Sequence, residues 1–351
     1  MSEDVYLKLR EFLDRLPGGF PATDSGVEIK ILKKLFTPEH AHIALKLRQI
    51  PQPAFLIAKR IGMEKPRVAE KLEEMARLGL IYRMRVGKRA LYMALQFIVG
   101  IYEFHVNTLD RELSELLEEY LPSLADLWKS TKTKQLRVVP INSSLDTAPH
   151  VSTYDHIRTL VKNKKLISVA PCICQKEQAL LGNTCDRPLE RCIQFDQAAQ
   201  YYIENGIGRK ISAKELMDLL GMGEEQALVL CPTNTRKIVN ICLCCGCCCG
   251  ILRILKKFPR PADQVQSPFQ ACIDRELCTS CGTCKERCQI EAIVDDNGVY
   301  EVDSGRCIGC GLCVPRCPAN ALTLVEKPRI APVPRNMIEM QVRIAKERGV
   351  L

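Results

Sequence analysis

Apolar positions recur at helical spacing through the first third of the chain. Residues 3–16 read as a short amphipathic helix, stopped by Pro17-Gly18-Gly19. Thr37-Pro38-Glu39 places an N-cap residue ahead of a proline at the first helical position. Phe55, Leu56, Ala58 and Ile61 predict one apolar helix face, ended by Gly62, and Val68, Leu72, Met75 and Leu78 predict a second. Leu80-Ile81-Tyr82 and Ala90-Leu91-Tyr92 flank Val86-Gly87-Lys88-Arg89, which reads as a β-hairpin. Helix, turn, helix, hairpin is a winged-helix outline.

Further along, Phe97–Tyr120 predicts a longer helix that ends before Pro122. Leu136–Ile141 and Leu166–Val169 are strand-like, whereas Tyr154–Val161 and Ala213–Leu220 are helical. Lys256–Ser267 reads as a linker, Val325–Pro334 as a proline-containing connector, and Asn336–Arg348 as a final helix. The whole predicts a multi-domain α+β chain. Its expected divisions are a winged-helix-like segment (1–125), a cysteine-rich α/β segment (126–265), a ferredoxin-like segment (266–326) and a tail helix (327–351).

A length of 351 residues suits two or three cores. The longest nearly apolar run, 90–102, is too short to span a bilayer and reads as a buried helix. The acidic start, MSEDVYLKLREF, has no apolar signal region. Twenty cysteines without such a signal argue for metal rather than disulfides, hence for a reducing cytoplasm. The net charge is +9, with most of the excess in the first hundred residues. His40, His42, His105, His150 and His156 all precede residue 157, so the cysteine-rich remainder has no local histidine ligand.

Cys278, Cys281, Cys284 and Cys288 form C-x2-C-x2-C-x3-C, and Cys307, Cys310, Cys313 and Cys317 repeat it, with Pro318 following. This spacing holds two [4Fe–4S] cubanes. Three thiolates wrap one cube, and the fourth crosses to the other. The expected sets are Cys278, Cys281, Cys284 with Cys317, and Cys307, Cys310, Cys313 with Cys288. Gln289 stands where the first run would often carry proline.

Eleven further cysteines lie between residues 172 and 249. Soft thiolates without histidine favour one or two additional iron–sulfur clusters, with zinc the alternative. The candidate ligands are Cys172, Cys174, Cys185, Cys192, Cys242, Cys244, Cys245, Cys247, Cys248 and Cys249, in open grouping. The 242–249 run cannot all face one metal, because adjacent side chains diverge, so it is expected to serve two clusters, or one cluster plus packing thiols. Gly246 and Gly250 would let backbone approach a cluster. Isolated Cys231 and Cys272 are expected to pack as small hydrophobes.

By these motifs residues 272–326 resemble two-[4Fe–4S] ferredoxin domains. The stretch 126–326, with PCIC and CLCCGCCCG ahead of the ferredoxin run, resembles 4Fe–4S dicluster-domain proteins of anaerobic bacteria. The resemblance implies cubane clusters and electron transfer, but no substrate. An iron–sulfur electron carrier, or a subunit of an anaerobic oxidoreductase system, is therefore expected. Its partners would be a ferredoxin, a flavoprotein or a larger oxidoreductase, with self-association through the N-terminal segment. One alternative is a redox-sensing DNA-binding regulator, with Arg83, Arg85, Lys88 and Arg89 on phosphates. Against it, Arg67, Lys71 and Arg77 are balanced by Glu70, Glu73 and Glu74, and that helix offers no base-reading amide or hydroxyl. The other is a reductase with a cluster-based active site. No G-x-G-x-x-G or Walker A run is present.

Overall fold

The computed structural model describes residues 2–145, 156–296, 298–328 and 331–351. His150 and the first residues of the helix expected from Tyr154 lie outside them.

The N-terminal helices are Ser2–Asp14, Val27–Leu35, Pro38–Ala44, Ala54–Ile61 and Lys65–Arg77. Thr37 caps the third, its hydroxyl accepting the His40 N–H at 3.2 Å. Strands Tyr82–Val86 and Arg89–Met93 form an antiparallel hairpin, and Gln52–Pro53 pairs with the far side of the second strand. Gly87 supplies the positive φ of the turn, 59°. Two expected faces shift by a residue. Ala54–Ile61 buries Ile57 and Ala58 and leaves Phe55 and Leu56 outward, and Lys65–Arg77 buries Val68, Leu72, Met75 and Ala76 while Leu78 is exposed.

The helix expected over Phe97–Tyr120 is broken, and 90–102 is not a helix. Its first residues complete the hairpin, and Val99 (φ 50°) and Gly100 (φ 176°) interrupt the next turn. A new helix, Arg111–Ser130, starts where Asp110 accepts the Leu113 N–H at 2.8 Å, and it runs through Pro122. Proline removes the bond to the Glu118 carbonyl and crowds it, yet the helix continues beyond it to Ser130. The Glu118 carboxylate on that turn is paired with Arg253.

The middle segment is built on a five-stranded antiparallel sheet. Its strands, in spatial order, are Arg209–Lys210, Ile167–Pro171, Glu190–Phe195, Asn240–Cys244 and Val229–Pro232. Leu136 and Val139 add single bridges beside Val229–Pro232, less than the strand expected over 136–141. Val169, Ile193, Ile241 and Leu243 are buried in the core that continues into the ferredoxin-like segment. There, Phe269–Ile273 pairs with Leu322–Glu326, and Ile293–Asp296 forms a hairpin with Val299–Val302.

The N-terminal core does not stop at its own helices. Ala170, Ile173, Tyr201, Tyr202 and Ile207 of the middle segment belong to it. The Tyr201 hydroxyl donates to the Ala76 and Ile81 carbonyls at 2.6 and 3.0 Å. Arg83, only 4% exposed, pairs with Glu73 and with Glu204 of helix Gln197–Glu204, each at 2.7 Å. Arg85 also bonds Glu204, at 2.8 Å. Two of the four hairpin cations that the DNA-binding alternative would place on phosphates are thus committed to carboxylates, leaving Lys88 and Arg89 at the exposed tip. The final helix, Met337–Glu347, is capped by Asn336, and Arg348 beyond it pairs with Asp14 at 2.9 Å.

Candidate metal centres

Antiparallel register places cysteines of three strands in one row. Cys242 stands opposite Cys192 on one side and Cys231 on the other. Directly opposed residues point to the same face, and Cys244, two residues on, shares it. Cys172 caps helix Ile173–Leu180 at the end of strand Ile167–Pro171, with Cys174 in its first turn. Cys249 caps Gly250–Lys257. Cys172, Cys174, Cys249, Cys244, Cys242 and Cys192 line one cavity, and each lies close enough to the next to perturb its thiol. Cys231 is buried in the hydrophobic core, as expected of a packing thiol, and register also sets it opposite Cys242. Its cysteine neighbours come from strand register, a signal available only once the Val229–Pro232 and Asn240–Cys244 hairpin is paired. Cys272, expected to pack as a small hydrophobe, is instead exposed on strand Phe269–Ile273.

Polar groups are aimed at this cage. Gln194, 2% exposed, donates its amide to the Cys192 sulfur at 2.9 Å, while its oxygen accepts the Ser168 hydroxyl at 2.9 Å. The Asn240 amide reaches Cys242 at 3.8 Å, and its oxygen accepts from Thr233. Tyr102 lies 3.9 Å from Cys174 and donates to Glu177 at 2.6 Å. Thiol donation from Cys192 and Cys244 holds Cys242 well below the ordinary thiol range.

The cage borders a cavity of about 1280 Å³. Cys172, Cys174, Cys192, Cys242, Cys244 and Cys249 line one wall. Leu117, Leu121, Leu124 and Trp128 line another, and Tyr102, Glu103 and Glu177 add polar groups. Burial pushes the Glu103 carboxyl up to about 8 and the Glu177 carboxyl up to about 7.

The other cysteines of the dense run turn away from the cage. Cys245, Cys247 and Cys248 gather with Cys185, all four sulfurs within 4.8 Å of one another. The turn over 246–248 lets the adjacent thiols of Cys247 and Cys248 converge. Gly246 is packed against Gln289 rather than a cysteine centre: a Cβ would meet the Gln289 carbonyl oxygen at 2.3 Å, and its N–H donates to the Gln289 side chain at 2.7 Å. Gly250 faces Leu121. Arg191, among the largest fully buried side chains, donates to Cys245 at 3.3 Å.

In the ferredoxin-like segment a small cavity is lined by Cys278, Cys281, Cys284 and Cys317. Cys288, Cys307, Cys310 and Cys313 are electrostatic neighbours of one another. The two halves repeat a detail. The amide four residues after each fourth cysteine donates to its sulfur, Ala292 to Cys288 at 3.1 Å and Ala321 to Cys317 at 3.3 Å. Gly309 has φ 68°, and a Cβ there would meet the Phe269 carbonyl oxygen at 2.1 Å. Burial pushes Cys307, Cys310 and Cys313 upward. A buried thiolate set with amide donors, and with only the partly desolvated Lys327 beside Cys307, fits a cationic iron core, which supplies further positive charge. Arg191 points the same way in the middle segment: its Nε and Nη1 are buried without a hydrogen-bond partner, as beside an anionic cluster.

Residues 300–323, which contain the second cysteine run, match the family described as a 4Fe-4S binding domain. No curated protein and no solved structure matches the chain. The matched segment and the cysteine groups define an iron–sulfur protein of mixed helix and sheet. None of the helices among the described residues is long and apolar enough to cross a membrane.

Proposed function

We propose that this protein carries single electrons between two [4Fe–4S] clusters of the ferredoxin-like segment and a further cluster in the cysteine cage. One cubane is held by Cys278, Cys281, Cys284 and Cys317, the other by Cys307, Cys310, Cys313 and Cys288. The cage ligands come from Cys172, Cys174, Cys192, Cys242, Cys244 and Cys249, with Cys231 added. Adjacency carries this reading: Cys310 of the second set is an electrostatic neighbour of Cys231 of the cage. The path runs inward, from exposed Cys281 to buried Cys307 to buried Cys231 and Cys244 on the sheet. Backbone and amide donors to the sulfurs set the potentials along it.

The divisions at 125, 265 and 326 are units of labour in this reading, although their cores are shared. The N-terminal helix–hairpin unit is winged-helix-like and serves partner docking or self-association, for which Phe55 and Leu56 offer exposed apolar surface. DNA is disfavoured, because Arg83 and Arg85 are spent on Glu73 and Glu204. The setting is a reducing cytoplasm of an anaerobic cell. The redox partner is a ferredoxin, a flavoprotein or a larger oxidoreductase. Iron and acid-labile sulfide per chain, measured on anaerobically purified protein with EPR after reduction, test the proposal. About 12 irons or more with matching sulfide support it, and about 8 would leave the cage without a cluster.

The cavity favours a second reading, a reductase acting at the cage. Its volume exceeds that of an ordinary ligand pocket, and its wall combines leucines with two carboxyl groups. The cluster would supply electrons. Glu103 and Glu177, held near neutrality by burial, are suited to hold a proton at the cavity wall. Apolar ligands that shift the EPR signal of the interior cluster, and not those of the ferredoxin-like segment, would support it. A signal indifferent to every such ligand would reduce the protein to a carrier.

A further inference from the structure

Four thiolates around one metal ion stand closer together than four thiolates around a cubane. Tetrahedral metal–sulfur bonds of about 2.3 Å put the sulfurs about 3.8 Å apart. A cubane is ligated through four separate irons at alternate corners, so its thiolates spread much wider. The group in the middle segment has the small spacing. Cys247 lies 3.6 Å from Cys185 and 3.7 Å from Cys248, and Cys185 lies 4.0 Å from Cys245. The ferredoxin-like cysteines are an internal contrast: among the described residues, neither of their sets gathers this tightly.

We propose that Cys185, Cys245, Cys247 and Cys248 hold a single tetrahedral metal ion of the thiolate-loving class, zinc or iron, rather than a cubane. The site has four protein ligands and so no open position, the mark of a structural centre. Arg191 beside Cys245 offsets part of the excess negative charge of four thiolates on a divalent ion. The consequence is architectural. The ion ties the loop carrying Cys185 to the 245–248 turn, and that turn is flanked by Cys244 and Cys249, both members of the cage. The centre therefore fixes the spacing of two cage ligands from outside the cage. This inference goes beyond electron transfer and does not rest on it.

The test uses full-length protein purified without oxygen, with zinc, iron and acid-labile sulfide measured per chain in wild type, Cys185→Ser and Cys247→Ser. The two variants disturb the site from different segments, and Cys247 is exposed, which keeps the risk of misfolding low. Each variant is expected to lose about one metal ion and no sulfide. About one zinc per chain in the wild type identifies zinc, and iron exceeding sulfide by about one identifies iron. Loss of about four irons together with about four sulfides from either variant overturns the proposal, as does an unchanged metal content in both. Failure of the electron-transfer reading would look different, as sulfide accounting only for the ferredoxin-like segment in the wild type.

Discussion

Gln194 offers the sharpest test of the cage. Its amide is buried, its oxygen is occupied by the Ser168 hydroxyl, and its nitrogen is thereby turned toward the Cys192 sulfur at 2.9 Å. A hydrogen bond to a charged acceptor contributes about 1.5–3 kcal/mol. It strengthens when the cluster gains an electron, and the share that distinguishes the two oxidation states is roughly 1–2 kcal/mol. At 1.4 kcal/mol per 59 mV for a one-electron couple, Gln194→Leu should lower the interior midpoint potential by about 40–90 mV. Leucine keeps the volume but leaves the Ser168 hydroxyl without its acceptor, at about 1 kcal/mol of stability. Ser168→Ala should produce a smaller shift in the same direction, because the amide is then free to turn. The assay is an EPR-monitored redox titration of the full chain, with the ferredoxin-like clusters as internal reference. An unmoved interior potential in folded Gln194→Leu protein would refute the reasoning. So would an equal shift of every cluster.

Four other perturbations separate the parts of the molecule. Cys317→Ser should deplete the cluster of Cys278, Cys281 and Cys284 while the Cys307 set stays filled, read by EPR and iron content; the opposite loss would show that the fourth cysteines do not cross. Cys231→Ala should change the interior EPR signal and leave the ferredoxin signals intact, which a plain packing thiol would not do. Arg83→Met removes the shared partner of Glu73 and Glu204 and should cost about 3 kcal/mol in urea unfolding, with proteolysis then releasing the N-terminal helices first. Gln289→Pro takes away the acceptor of the Gly246 N–H and should loosen the 245–248 turn, seen as faster loss of its metal to a chelator.

Legibility in the sequence followed the range of the interaction. The second ferredoxin-like cysteine run was legible because its spacing is local, and residues 300–323 match a 4Fe-4S binding domain. The Thr37 cap and the hairpin at Gly87 were local as well. The cage was not readable in the same way. Cys192, Cys242 and Cys231 become neighbours only through the register of three strands, and Cys185 joins Cys245 across 60 positions. Arg83 looked like a surface cation because its second partner, Glu204, is 121 residues away. The break at Val99–Gly100 escaped a reading by periodicity, since apolar residues continue through it. Gln289 looked like a neutral departure from a motif until Gly246 was found against it.

The arrangement as a whole bears on where electrons go. A carrier that only exchanges electrons with partners gains from clusters near the surface, and Cys281 meets that need. The cage does not: Cys244 and Cys249 are buried, and Cys172, Cys174, Cys192 and Cys242 are half-buried where they line the cavity. Such a cavity, bordered by Leu117, Leu121, Leu124 and Trp128 among other apolar residues, forgoes packing that would otherwise stabilise the fold, because unfilled apolar space loses dispersion contacts. Two carboxyl groups shifted toward neutrality add a desolvation cost at the same wall. These costs fall at the inner end of the proposed path, where a carrier needs nothing and a reductase needs room, electrons and a proton. A bulky substitution at Leu124 separates the two cases. If the cavity is used, Leu124→Trp should abolish ligand-induced changes at the interior cluster while leaving its midpoint potential and metal content intact. If electrons merely pass through, the same variant should behave as wild type in every electron-exchange assay and in its response to ligands.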